Sequence, residues 1–487
     1  MMKSIKEAVE KRFKELPEKI IQFGEGNFLR AFADWFVEKA NVNGIFNGSV
    51  VLVKPTSRKA RLDFNAQNSM YTVLERGREN GERTDRSTVV TSISRFISAY
   101  NDSDELLKIA ASEEISVVIS NTTEAGITYV NGEKFEDFPN VSYPAKLCRL
   151  LYERFSKLGF GSGLLILPVE LIEDNGVQLK KCVISYAEDW ALGEDFVNYI
   201  DKDCKFCSTL VDRIVTGFPE KVYNSLCERL GYTDKLMVAC EPYHSWIIEG
   251  KEEWKDSFPI DRISNCVQWV KSIAPYRERK VKILNGAHTM SVLAAYLCGF
   301  DIVRDMMHDS DFYDYMNLGI ENEIIPTIDM DKAELEQFKN SVFERFDNPF
   351  IDHKLLDISL NSVSKFKARC LPSVLQYIET FNTAPPLLSF ALAALIRFYN
   401  GKYDENGDFV SYRSDEKYCI RDSEDVLKAF DSAFKTQDPV KCILADESLW
   451  GMDLTSVCNL ADKVKAAFED IETLGMRAAL KKVCVNE

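Results

Sequence analysis

The sequence predicts a doubly wound α/β domain followed by an all-α domain. Three observations carry this. Short β-rich runs alternate with helical stretches through the first half, and these runs stop after about residue 265. At 487 residues the chain is also too long for a single hydrophobic core. The expected domains are residues 1–265 and 266–487.

The β-rich runs are KIIQFG (19–24), SVVLVKPT (49–56), STVVTSISRF (87–96), ISVVISNTT (115–123), GLLILPVELI (163–172) and KLMVACEP (235–242). Several are apolar on both strand faces, as parallel strands covered by helices on each side must be. NFLRAFADWFVEKA and YPAKLCRLLYERFSKL supply intervening helical patterns. Beyond residue 265, stretches such as AHTMSVLAAYLCGF, PLLSFALAALIRFY and LADKVKAAFEDIETL show helical spacing, interrupted by a Gly/Asp-rich loop at 400–409.

A net charge of −16 leaves no basic face for nucleic acid or an anionic membrane, although a local cationic pocket for a small anion is compatible with it. No apolar run is long enough to span a bilayer, and the charged start lacks a secretory signal pattern. The thirteen cysteines are scattered and odd in number, which reads as reduced thiols in a cytoplasmic protein. Cys204 and Cys207 stand at C-x-x-C spacing without the second pair that zinc requires, so no metal site is expected.

IIQFGEGNFLRAF reads as a strand, a Gly24-Glu25-Gly26 turn, then a helix. Two glycines there let the backbone turn sharply and let a pyrophosphate approach the helix amides, which makes the domain Rossmann-like. The third glycine of the full fingerprint is absent. Candidate cofactor contacts are Phe23, Gly24, Gly26, Asn27 and Phe28, with Thr123 and Glu124 at the carboxyl edge of the fourth strand. The second strand ends in VLVKPTSRK, not in the Asp or Glu that usually holds an adenosine ribose. Lys54, Arg58 and Lys59 either meet a 2′-phosphate or form a solvated loop, so NAD is expected with NADP left open.

RKVKILNGAHTM places Lys280, Asn285 and His288 within a few turns. On a helix of about 100° per residue, Asn285 lies roughly 140° and His288 roughly 80° from Lys280. They share one side only if the first turn bends or is partly extended, which Gly286 permits.

Together the motifs resemble the mannitol dehydrogenase family, polyol dehydrogenases that need no metal. FGEGNFLRAF, Val211–Ile214 in TLVDRIVTGFP, CEPYHSWIIEG, ERFDNPFIDH and KVKILNGAHT follow the family's motifs in order over most of the chain. The resemblance implies hydride transfer between a nicotinamide and a secondary alcohol carbon. It assigns Lys280 as acid and base, Asn285 as donor to the developing alkoxide, and His288 as partner of a substrate hydroxyl. Lys282 competes by sequence but does not match the motif spacing. Asp212 is expected to support the lysine or a hydroxyl, and Arg213 to be structural. Glu170 and Leu171 replace the family's Asp-Asn, while Asn175 carries over as a substrate contact. Lys365 matches a substrate-binding lysine, and the arginine expected upstream of it is Asp357.

Details lean toward the family's uronate branch, which implies reduction of a keto-uronate, a sugar-acid substrate, by a monomer or homodimer. A fructuronate or polyol dehydrogenase is the neighbouring reading. A nucleotide-binding scaffold without activity is opposed by the intact Lys280, Asn285 and His288.

Overall fold

The computed structural model describes residues 2–58, 62–123 and 125–485. They divide into one unit of Met1–Glu79 with Arg83–Ile273, and a second of Asn80–Glu82 with Ala274–Glu487.

The first unit is built on six parallel strands: β1 (Glu18–Phe23), β2 (Ser49–Lys54), β3 (Ile93–Ser98), β4 (Val117–Ser120), β5 (Leu165–Pro168) and β6 (Lys205–Phe206). Their spatial order is β3-β2-β1-β4-β5-β6. Alternate residues enter two separate cores. Ile20, Leu52, Val117 and Leu165 face one, while Ile21, Val51, Val118 and Ile166 face the other. Burial on both sides is why these strands read as unbroken Val, Ile and Leu. Strand order reverses beside β1, which opens a crevice at the carboxyl ends of β1 and β4.

Two expectations change here. Residues 87–96 are not one strand: Glu82–Val90 lies in a mixed sheet and β3 starts at Ile93. At the break, the Glu38 carboxylate accepts the Thr91 and Ser92 amides at 2.8 and 2.9 Å. Val238–Cys240 also joins the mixed sheet, pairing with Tyr71–Glu79, and the last parallel strand is the short Lys205–Phe206. The unit runs a little past 265 because Val267–Val270 pairs with Ser245–Glu249.

A buried ion pair ties the mixed sheet down. Arg213 meets Glu75 at 3.2 Å with both side chains fully excluded from solvent. Arg213 also donates to the carbonyls of Ala31 and Glu241, and lies 4.6 Å above the Trp35 ring. Burial alone would raise the Glu75 carboxyl, but Arg213 and Arg86 hold it below its ordinary value.

The second unit is helical around two buried helices, Gly286–Leu297 and Pro386–Phe398. Buried Glu323 accepts the Leu387 and Leu388 amides at 2.6 and 2.7 Å, placing an anion at the second helix's start. The expected loop at 400–409 is instead part of a three-stranded antiparallel meander, Lys402–Tyr403, Phe409–Arg413 and Glu416–Cys419. The all-α expectation is corrected to that extent.

Asp34 gives the first unit a pH signature. It is fully buried, one oxygen accepts the Tyr71 hydroxyl at 2.6 Å, and the other has no hydrogen-bond partner. Burial raises its pKa to about 7, against opposing help from Tyr71 and Arg30. The folded protein therefore binds more protons than the unfolded chain between the ordinary carboxyl value and about 7, so stability falls as pH rises through that window. Denaturant melts of wild type and Asp34→Asn should show the variant gaining relative stability from pH 4 to pH 8. A pH-independent difference would contradict this.

Candidate functional site

The β1 turn has the geometry that close backbone approach requires. Gly24 sits at φ +121°, and a Cβ there would lie 2.9 Å from the Asn121 carbonyl oxygen. Its amide donates to Val53 O at 3.0 Å, and Gln22 donates to its carbonyl at 3.3 Å. Gly26 is exposed, with no atom within 4 Å of where a Cβ would stand, so space lies over the loop. Asn27 is exposed and accepts from Arg30 at 2.6 Å, while Phe28 stacks on Phe32 at 4.9 Å. Phe23 is fully buried against Tyr143, which makes it a core residue and corrects its place among the cofactor contacts.

At the edge of β4, Thr123 is exposed at φ +97°, a strained conformation for a β-branched residue. Glu124 and Lys59 lie outside the described residues. The loop is organised by a residue that sequence reasoning treated only as a departure. Buried Glu170 accepts Ser120 Oγ at 3.1 Å, the Thr122 amide at 2.9 Å and Thr122 Oγ1 at 3.0 Å. Burial raises its carboxyl despite these donors. Lys54 is buried, and its ammonium donates to the carbonyl and hydroxyl of Thr56, while Arg58 is exposed.

Asn175 is also corrected. Its amide nitrogen donates to Pro168 O, Glu170 O and Thr209 O at 2.9–3.1 Å, and its oxygen accepts from the Gly176 and Thr209 amides. A fully buried side chain with every polar atom used on backbone has nothing left for a substrate. Half-buried Asp212 ends the strand Thr209–Asp212, opposite Ser245.

In the second unit Lys280, Asn285 and His288 lie on one continuous helical path. Lys280–Asn285 is a π-helical turn, and the Gly286 amide reaches back five residues to Val281 O. Such a turn brings residues five apart to about the same side, which a plain α-helix cannot do. Gly286 has helical dihedrals (φ −63°, ψ −44°), so a wide turn, not an extended glycine, aligns Lys280 with Asn285. His288 follows Asn285 by three residues, within about 60° of it around the helix.

Lys282 is spent elsewhere. It is buried and donates to Thr327 O at 2.8 Å and Gln376 Oε1 at 3.0 Å, and pairs with Glu278 at 2.7 Å. The His288 ring stacks on Phe346 at 3.9 Å and meets His353 edge-on at 5.4 Å. Its Nε2 is buried without a hydrogen-bond partner. Burial, then the nearby His353, Arg345, Arg369 and Lys365, hold its pKa well below the ordinary value, so the ring is neutral at neutral pH. Lys365 is half-buried and donates to Ile358 O at 2.7 Å. Sequence reasoning quoted the segment holding Arg345, Phe346 and His353 as a motif but gave its residues no role.

Among the described residues no group of three or more His, Cys, Asp or Glu side chains is arranged to hold a metal. Burial pushes the Cys204 and Cys207 thiols up to about 11 and about 12, so neither offers a ready thiolate. The two lysines of the π turn should separate by experiment. Lys282→Met leaves Thr327 O and Gln376 short of a donor and should destabilise the fold by about 1–3 kcal/mol. Its kcat should fall by less than about tenfold, under ~1.4 kcal/mol of barrier, because the turn loses an anchor while Lys280 is kept. A collapse of kcat in a folded Lys282→Met protein would reassign the site.

Sequence and structure comparisons place the chain. The mannitol dehydrogenase Rossmann domain family matches residues 18–261 and the mannitol dehydrogenase C-terminal domain family residues 272–472. An altronate oxidoreductase of Halalkalibacterium halodurans is 40% identical over 96% of this chain and 94% of its own length. One from Shigella flexneri is 42% identical over 96% and 98%. Among solved structures, a D-sorbitol dehydrogenase in substrate-free form shares the fold at TM-score 0.78 with 22% identity, covering 96% of this chain and 95% of that one. A Pseudomonas fluorescens mannitol 2-dehydrogenase in ternary complex with NAD and D-mannitol does so at TM-score 0.64 with 22% identity, covering 97% and 95%. With both domains matched in order and relatives this similar along nearly the whole length, the chain belongs to the mannitol dehydrogenase family, oxidoreductases acting on CH–OH groups.

Proposed function

We propose that this protein is a nicotinamide-dependent, metal-independent reductase that converts the keto-uronate D-tagaturonate to D-altronate. The observation that supports it is the π turn over Lys280–Asn285, which runs directly into the helix bearing His288, in a unit that also holds Lys365. The relatives named altronate oxidoreductase support the choice of substrate.

The first unit fits a dinucleotide: Gly26 leaves space over the loop, and Gly24 lets the backbone turn beside Asn121. Exposed Asn27 and half-buried Phe28 follow Gly26, and exposed Thr123 lies in the loop after β4, two residues beyond Asn121. NAD is the proposed form: of the cations that could meet a 2′-phosphate, Lys54 is held by Thr56, while exposed Arg58 keeps NADP open. When bound, the nicotinamide supplies or accepts the hydride. Lys280 donates a proton to the substrate oxygen during reduction and takes it back in oxidation. The Asn285 amide donates to the same oxygen as it gains charge, with no proton change of its own. Neutral His288 offers the unpartnered Nε2 to a substrate hydroxyl and so fixes the reacting carbon. No helix among the described residues is long and apolar enough to cross a membrane; a cytoplasmic monomer or homodimer is part of this proposal.

Loss of NADH absorbance should be greatest with tagaturonate when fructuronate, fructose and fructose 6-phosphate are run beside it. Fructuronate in first place would favour the neighbouring reductase of the same family. Lys280→Ala should lower kcat far more than tenfold, which is about 1.4 kcal/mol of barrier, while the protein still melts normally and binds NADH. Retention of a tenth of kcat would remove Lys280 as the acid. Dialysis against EDTA should leave activity unchanged, and a loss restored by zinc would overturn the lysine mechanism.

A further inference from the structure

The helix Ser362–Arg369 carries three cations, and they do not share a face. Lys367 turns toward Gly451, where its ammonium would stand 3.1 Å from an added Cβ. Lys365 and Arg369 are four residues apart, one turn along the same side. Both are half-buried, and neither has a carboxylate within ion-pair distance among the described residues. Lys365 reaches only the Ile358 carbonyl, and Arg369 only Thr289 Oγ1 at a long 3.5 Å.

That arrangement is costly in isolation. Like charges at this spacing repel, and partial burial removes the water that would screen them. Burial pushes both cations below their ordinary values, and Arg369 adds to the depression of Lys365. Several other partly buried cations of the unit are paired: Arg304 with Asp352, Lys339 with Glu321, and Arg413 with Asp301 and Glu416. Lys365 and Arg369 lie together without an ion pair among the described residues, and the one carboxylate that acts on Lys365, Asp422, does so from beyond contact distance.

The face is fixed against the helix that bears the proposed chemistry. The Arg369 carbonyl lies 3.7 Å from the Cβ position of Gly286, and the Cys370 thiol donates to Gly286 O at 3.8 Å. Thr289, which Arg369 touches, follows His288 and donates to Asn285 O at 2.9 Å. Both cations also act on the His288 ring.

We propose that Arg369 is the specificity-determining residue for a carboxylate-bearing substrate, its guanidinium and the Lys365 ammonium together taking the anionic end of the sugar acid held at His288. This rests on the keto-uronate reading and adds the residue that selects the acid over a neutral ketose. The planar guanidinium suits a carboxylate, and the anion restores the balance that the two cations lack.

The test is the ratio of kcat/KM for tagaturonate to that for fructose, in wild type, Arg369→Gln, Arg369→Lys and Lys367→Gln. Arg369→Gln should lower the ratio at least about tenfold, the scale of one charge-assisted hydrogen bond. The loss should appear in KM for the acid, with kcat little altered. Arg369→Lys should recover part of the ratio, and it keeps the test readable if the Gln variant melts early. Lys367→Gln should keep the wild-type ratio, since its charge is on another face. A wild-type ratio in folded Arg369→Gln, or an equal loss in Lys367→Gln, would overturn this assignment while leaving the reductase reading intact. A wild type that reduces fructose but neither keto-uronate would overturn both.

Discussion

The wide turn between Lys280 and Asn285 is the constraint on which the second unit's chemistry depends. Regular α-helical geometry would set Asn285 about 140° away from Lys280. One turn of i→i+5 bonding narrows that offset without breaking the helix, so the proposed acid and the proposed oxyanion donor come from one element. The surroundings hold the turn in place. Lys282 anchors its middle to Thr327, Gln376 and Glu278, and Cys370 donates to Gly286 O at its end. His288 then lies in the first turn of the regular helix, backed by the Phe346 ring.

How much of this the sequence shows depends on what each feature costs in residue types. The central parallel strands are legible because burial on both faces leaves only apolar residues, as in β2 and β4. β6 is not, being two residues long and led by a lysine. The 402–419 meander escapes for a related reason: its strands are short and Lys402, Tyr403, Glu416, Lys417 and Cys419 are exposed, so only Tyr418 marks a buried face in the last strand. At the site, Lys280, Asn285 and His288 are readable as residue types at a spacing. The π turn is not, because it is a backbone pattern that no particular side chain announces. The roles of Glu170 and Asn175 are not readable for one reason. Some of their partners, Thr122 and Thr209, are remote in sequence, so only the folded chain shows that both side chains are occupied.

Buried polar groups in the first unit do much of the specifying. Glu38, Asn175 and Arg213 each fix several backbone groups from a single side chain, and Glu170 gathers one amide and two hydroxyls. An apolar replacement at any of them would strand more than one donor or acceptor, which is why such positions set a unique arrangement and not only stability.

The Arg213–Glu75 pair also bears on the order in which the protein is made. β1 emerges first and ends at the centre of its sheet, so β2 and β3 find one waiting edge and β4, β5 and β6 the other. The parallel sheet can therefore grow with the nascent chain. The mixed sheet cannot. Glu75 can meet Trp35 and Arg86 early, but its fully buried partner Arg213 appears only 138 residues later, a wait of about 7–28 s at ~5–20 residues per second. During that interval Trp35 and the Tyr71–Glu79 strand have no permanent cover, which makes this the stretch of synthesis where a chaperone has most to protect.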